Sequence, residues 1–326
     1  MSYNNYPSND SVMILDAAYD ETMNQVIASI LDQYPLSWKG KRTLVKPNIL
    51  TGKNPDAGAT THPILVKAVV QQLKSRGADV IVGDNPGISG YGITEETARL
   101  CGILDAVEDS FINLAANPVK HTVSSRYFDY VMIAKEVLDA DIIVNLPKLK
   151  THGLTCITGA IKNTFGYIVG GDKQRIHSQA VTPRQFSEAI LDIYKIKPPD
   201  LNIMDAVVAM EGNGPSNGTL RTLGKVVACK NAATLDAVAI NLIGHKIKDV
   251  LHVKLAGEMG LGQVEVSNIS IIGELAPVNG FILPTTFSSG ISGIIMNQFL
   301  SNRINCVPKV ITERCKLCQI CVEHCP

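Results

Sequence analysis

Short apolar runs alternate with amphipathic segments along most of the chain, and this alternation constrains the fold more than any other feature. Val12–Leu15 reads as a strand, Glu21–Gln33 as a helix and Arg42–Val45 as a strand, which makes one β-α-β unit. His62–Arg76 places Ile64, Leu65, Ala68, Val69 and Leu73 on one helical face and stops at Gly77, and Ala78–Val82 follows as a strand. The spacing predicts further helices over Thr94–Gly102, Lys135–Asp139, Pro183–Ile196 and Ala232–Ile243. Strands are expected over Val131–Ala134, Asp141–Val144, Leu201–Met204, Lys225–Ala228 and Ile269–Ile272. The pattern implies an α/β fold with a parallel or mixed sheet and helices on both faces.

Thirty basic residues balance thirty acidic ones, so no global field attracts nucleic acid, and any anion site has to be built from local charges. The charge-free run from Leu275 to Asn302 is broken by Pro277, Asn279, Gly280 and Pro284, so a buried or docking segment is expected rather than a membrane span. Met1–Ser11 lacks the basic and apolar tandem of a secretory signal, which points to a cytoplasmic location.

Four of the eight cysteines fall in the last residues, and Cys101, Cys156 and Cys229 lie singly in apolar patterns where a thiol packs as a small hydrophobe. The terminal run Cys315-x2-Cys318-x2-Cys321-x3-Cys325-Pro326 reproduces the spacing of bacterial ferredoxins that hold a 4Fe-4S cluster. Two-residue gaps wrap a tight loop that brings three thiolates to one cubane, and soft sulfur suits iron. In two-cluster ferredoxins the fourth cysteine of this run serves the other cluster. The expected organisation is therefore an α/β domain over residues 1–305, followed by residues 306–326 as the first half of a ferredoxin-like module, with Cys306 an alternative ligand.

Polar residues gather just after expected strands: Lys46 and Asn48, Asp84 and Asn85, Asn145 and Lys148, and Asp205 with Glu211. In open α/β sheets this carboxyl edge is where ligands bind. The densest concentration runs from Asn145 through Lys148, Lys150, His152, Lys162, Asn163, Lys173 and Arg175 to His177, interleaved with Gly159, Gly166, Gly170 and Gly171. Extended, Lys148 and Lys150 would point the same way and clamp a phosphate or carboxylate. Glycines let backbone amides approach such an anion. His152 and His177 are candidate acid–base groups or metal ligands, Lys162 a candidate nucleophile or anion contact, and Asp84 and Glu211 candidate bases or ligands. Asp236 opens a helix as a capping or packing group.

Val45-Lys-Pro-Asn48, His62-Pro63, Gly83-Asp84-Asn-Pro-Gly87, Asn145-Leu-Pro-Lys-Leu-Lys-Thr-His152, Gly159-x2-Lys162-Asn163-x2-Gly166, Met204-Asp205 with Glu211-Gly-x-Gly-Pro215, and Leu235-Asp236-Ala237, followed by the cysteine run, resemble domain-of-unknown-function family 362, the iron–sulfur-centre proteins. The resemblance implies an α/β domain with a C-terminal two-cluster ferredoxin module. More weakly, the order His152, Lys162, His177 is similar to the nickel-pincer lactate racemases, where the lysine carries a nucleotide cofactor and a histidine ligates nickel. The segment Lys162-Asn163-Thr-Phe-Gly166 departs from that pattern.

These features lead to an expected iron–sulfur redox protein. Its clusters pass electrons to a substrate or cofactor with an anionic group bound at the α/β domain, with a redox partner protein as donor or acceptor. The competing expectations are a non-redox isomerase or racemase using His152, Lys162 and His177 with a metal or nucleotide, and an electron carrier without chemistry of its own. A full-length protein is expected to hold two 4Fe-4S clusters, and a chain ending at Pro326 none stably. Iron and sulfide analysis after anaerobic desalting checks this, and near four irons per truncated chain would contradict it.

Overall fold

The computed structural model describes residues 11–87 and 92–284. In chain order the elements are β1 (Val12–Asp16), α1 (Met23–Gln33), β2 (Arg42–Pro47), α2 (Pro63–Ser75), β3 (Asp79–Val82), α3 (Thr94–Leu100) and α4 (Ile103–Val107). They continue through β4 (Pro118–Thr122), β5 (Tyr130–Ala134), α5 (Lys135–Asp139), β6 (Ile142–Leu146), β7 (Lys148–His152), β8 (Cys156–Thr158), α6 (Ala160–Asn163) and α7 (Asp172–Gln179). The last are α8 (Pro183–Tyr194), β9 (Leu201–Glu211), β10 (Thr219–Cys229), α9 (Ala232–Leu242), α10 (Leu251–Glu258) and β11 (Ile271–Ile272).

Among the described residues the main sheet runs β11-β1-β10-β9-β6-β2-β3, with β7 on β9 and β8 on β7, while β4 and β5 form a separate pair. It is mixed: β2 is parallel to both β3 and β6, whereas β10 is antiparallel to β1 and β9. Alternation along β2 sends Leu44 into a core with α6, α8, α9 and α10, and Val45 into one with α1, α2 and α4. Helices therefore cover both faces, as the sequence pattern implies. Cys101, Cys156 and Cys229 are buried core thiols.

Several boundaries differ from the sequence expectation. The strand expected to end at Met204 continues to Glu211, because Ala206, Val207, Ala209 and Met210 keep burying apolar surface. The strand after it starts at Thr219 and bridges an irregularity between Thr222 and Lys225. The last strand is reduced to Ile271 and Ile272 behind a 3-10 turn over Val266–Asn268. Most of the segment from Asn145 to His177 is regular secondary structure, from β7 through α7. No helix among the described residues is long and apolar enough to cross a membrane. The terminal cysteine run, Cys306 and most of the charge-free run lie outside the described residues.

On the α1–α2 face, β9 and β7 are locked by charge. Lys148 Nζ lies 2.9 Å from Asp205 Oδ2, and both side chains are almost wholly removed from water. Tyr19 Oη donates to Asp205 Oδ1 at 2.7 Å and accepts from Lys148 Nζ at 2.7 Å, and its ring stacks on His62 at 3.7 Å. Removing one partner leaves the other charge buried. Asp205→Ala is expected to lower the unfolding free energy by about 3–5 kcal/mol in urea titration at neutral pH. Tyr19→Phe is expected to cost about 1–2 kcal/mol. Equal, small losses in the two variants would mean that the pair is not carrying this contact.

Candidate functional site

A cleft of about 210 Å³ opens at the carboxyl ends of β2 and β3. β2 itself contributes Lys46, and the loops after β2 and β3 contribute Asn48, Asp84 and Asn85. The ends of β7 and β8 bring His152 and Thr158, and α6 with the turn behind it brings Lys162, Asn163, Phe165 and Gly166. α7 adds Lys173 and His177. Lys173 and His177 are four residues apart on α7, so one helical face presents both.

Lys46 Nζ sits 2.7 Å from Asp84 Oδ1 and donates to the Pro47 carbonyl at 3.0 Å. Asp84 Oδ2 accepts the Ile49 amide at 2.7 Å. Asp84, expected among the catalytic groups, is therefore engaged in holding two strand ends together. A Cβ at Gly166 would overlap both the Asp84 carboxylate and the Lys46 ammonium, so only glycine lets the turn after α6 close over the pair. Lys173 Nζ donates to the carbonyls of Asn85 and Pro86 at 2.5 and 3.1 Å, and burial brings its pKa down to about 7.

Lys162 is the exception. Among the described residues its ammonium has no hydrogen bond and no ion pair, only the Phe165 ring at 5.9 Å. Desolvation, and after it the positive charge of Lys46, lowers its pKa to about 8. Both histidines beside it are held neutral. His152 is pushed well below its usual value by burial and by the charge of Lys162. Its Nδ1 accepts the Leu154 amide at 3.2 Å, so the neutral ring carries its proton on Nε2 and offers a donor. His177 is an exposed residue, but its ring stacks on Phe186 at 4.3 Å and meets the edge of Phe165 at 5.6 Å. Packing against these rings, then the ammonium groups of Lys162 and Lys173, lowers its pKa.

Beneath the cleft runs a hydrogen-bond chain in which every amide donates the same way. Lys150 Nζ donates to Asn48 Oδ1 at 2.6 Å, Asn48 Nδ2 to Asn163 Oδ1 at 2.9 Å, Asn163 Nδ2 to Asn145 Oδ1 at 2.7 Å, and Asn145 Nδ2 to Asn202 Oδ1 at 2.8 Å. Asn202 Nδ2 ends the chain on the Lys230 carbonyl at 2.9 Å. Lys150 donates at one end, and a carbonyl, which can only accept, stands at the other. That sets the direction of every amide between them.

The structure thus brings Lys46, Asn48, Asp84, His152, Lys162, Asn163 and His177 to one cleft, as their positions after expected strands suggest. It does not bring Lys148, Lys150 or Glu211 there. Lys148 points to Asp205 on the α1–α2 face, while Lys150 is spent on Asn48 and the Ala59 carbonyl, so the two form no clamp for an anion. Glu211 ends the lengthened β9, accepts the Ile282 amide at 3.2 Å and lies 3.8 Å from Arg221. His152 and His177 gain no third metal ligand among the described residues, where no three His, Cys, Asp or Glu side chains converge. These residues do not fit a protein-held metal. Sequence reasoning left Asn202 unremarked because a polar residue inside an apolar strand carries no periodic signal.

A model of the family described as a domain of unknown function, DUF362, matches residues 43–241. A thylakoid-associated protein of Synechocystis sp. is 34% identical over 206 residues, which cover 63% of this chain and 63% of that protein. The match spans less than two thirds of that relative. Among solved structures, the lactate racemase apoprotein from Thermoanaerobacterium thermosaccharolyticum overlaps with a TM-score of 0.45 and 13% identity, over 69% of this chain and 55% of the other. A Thermotoga maritima protein overlaps with a TM-score of 0.40 and 13% identity, over 60% and 52%. Neither overlap bears on chemistry.

The lowered pKa of Lys162 is a stability statement. An unfolded chain keeps that proton to about pH 10.4, whereas the folded protein releases it near pH 8, so the cost is fully present below pH 8 and is relieved as pH rises between these values. Lys162→Met is therefore expected to be more stable than the parent below pH 8, by up to about 3 kcal/mol. The gain should shrink towards pH 10 in urea titrations. A pH-independent difference would contradict the shift.

Proposed function

This chain belongs to the DUF362 family, whose description assigns no activity, and from the geometry of its cleft we propose that it binds a small molecule bearing a phosphate or carboxylate. One observation carries the reading. Three lysines line the cleft against one carboxylate, Lys46 is already neutralised by Asp84, and the Lys162 ammonium has no partner among the described residues. A half-buried cation without a counter-ion is unfavourable, and an incoming anion removes that penalty. The complement to this wall is a compact anion, since the cleft holds only a few atoms beyond such a group.

The residues around the anion supply proton chemistry. His152 Nε2–H donates a hydrogen bond to an oxygen of the bound molecule. Lys162, with a pKa near 8, exists in both protonation states around neutral pH and can give or take a proton at Nζ. His177, neutral, offers a nitrogen lone pair. Electrons would be supplied or accepted by the 4Fe-4S clusters of a full-length protein, with Cys315, Cys318 and Cys321 ligands of one and Cys325 a ligand of the other, a proposal that rests on their spacing alone. The protein would then be an iron–sulfur oxidoreductase whose α/β domain binds the reacting anion.

Isothermal titration with sulfate, whose charge does not change near neutral pH, tests the cleft. Lys162→Ala is expected to weaken binding at least about tenfold, while Lys162→Arg retains most of it because the charge is kept. Equal affinities in parent and Lys162→Ala would remove Lys162 from the site. Anaerobic protein of full length tests the redox half: a bound small acid should change the visible absorption of the reduced clusters. Turnover with an unchanged spectrum and no electron donor would replace this reading by a non-redox isomerase.

A further inference from the structure

Asp236 lies on α9, is fully buried and has no ion-pair partner among the described residues. Its two carboxylate oxygens accept the amides of Ala160 at 2.6 Å and Ile161 at 3.0 Å, the first two residues of α6. It does not serve its own helix, because Asn231 Oδ1 already caps α9 through the Thr234 amide at 3.0 Å. The backbone at Gly159 is extended, a conformation open to any residue, yet a Cβ there would overlap the Asp236 carboxylate. Glycine at 159 is thus required by the approach of Asp236 and not by the backbone.

A charge without a counter-ion in this place is expensive: desolvation raises its pKa to about 7 even though the two amides hold it down. The helix it caps has only four residues, too few to persist on its own hydrogen bonds. That helix carries Lys162 into the cleft and Asn163 into the amide chain. We propose that Asp236 is the positioning residue of Lys162, clamping the first turn of α6 so that the Lys162 ammonium stays in the cleft without a protein partner. This inference rests on reading the cleft as an anion site. Asp236 acts through the backbone, since the charges that bear on Lys162 are those of Lys46 and Asp84. The other titratable groups coupled to Lys162 are Lys150 and His152 from β7, Lys173 and His177 from α7, and His252 from α10.

Competitive acetylation with acetic anhydride across a pH series, read at Lys162 by mass spectrometry, tests the clamp in the intact protein. The parent should be half-reactive near pH 8. In Asp236→Asn, which keeps the shape but loses one acceptor, the midpoint should move towards that of an ordinary lysine, above about pH 10. Sulfate affinity should fall at least about tenfold with it. Gly159→Ala, which keeps the carboxylate but displaces it, should do the same and decides the question if Asp236→Asn does not fold. A role confined to stability would lower the melting temperature and leave midpoint and affinity at parental values, and that result overturns the proposal. If the parent itself binds no sulfate, the anion reading fails, while the Lys162 midpoint still decides whether Asp236 holds it.

Discussion

The ion pair of Lys46 with Asp84 is the contact on which the cleft depends. It joins the carboxyl ends of two parallel strands at 2.7 Å, with both groups almost out of water. Asp84 also takes the Ile49 amide, so the chain leaving β2 is fixed by the same carboxylate. The turn after α6 can lie over the pair only because residue 166 has no side chain. Replacing either charge would leave the other stranded in the interior, where the penalty exceeds what an exposed pair contributes. The pair therefore shapes the cleft floor, and the charge of Lys46 acts directly on Lys162.

The amide chain beneath it solves a different problem, how to place polar side chains in a sheet interior without leaving any unpaired. Asn48, Asn163, Asn145 and Asn202 come from β2's loop, α6, β6 and β9, and each has one donor and one acceptor used in the chain. Because the Lys230 carbonyl can only accept, the direction is set from that end, and aligned dipoles strengthen one another in a low dielectric. Asn163 follows Lys162 in α6, so the same short helix is gripped by this chain on its sheet side and by Asp236 at its N-terminus.

In the cleft lining lysines outnumber carboxylates, and the consequence is electrostatic. Desolvation lowers the pKa of these groups and each neighbouring ammonium lowers it further, so the histidines are neutral and Lys162 titrates near 8. A site of this kind is complementary to negative charge and keeps groups close to their midpoint near neutral pH. The proposed anion site and its proton-transfer role both rest on that imbalance together with desolvation.

The sequence by itself determined the α/β architecture, because alternation of short apolar runs with amphipathic helices leaves few other ways to bury both faces of a sheet. It also determined that Lys46, Asn48, Asp84, His152, Lys162, Asn163 and His177 gather near one sheet edge, since each follows a strand or lies in the segment crossing that edge. It could not separate Lys148 and Lys150 from the cleft, because which face of β7 they occupy depends on how β7 pairs with the lengthened β9. Nor could it assign Asp236, whose spacing suggests a group for its own helix while its oxygens cap another one 75 residues away in the chain. Only the tertiary structure decided which polar side chains are spent on each other and that the Lys162 ammonium has no hydrogen bond or ion pair among the described residues. Periodicity reports burial, whereas partnership depends on three-dimensional register.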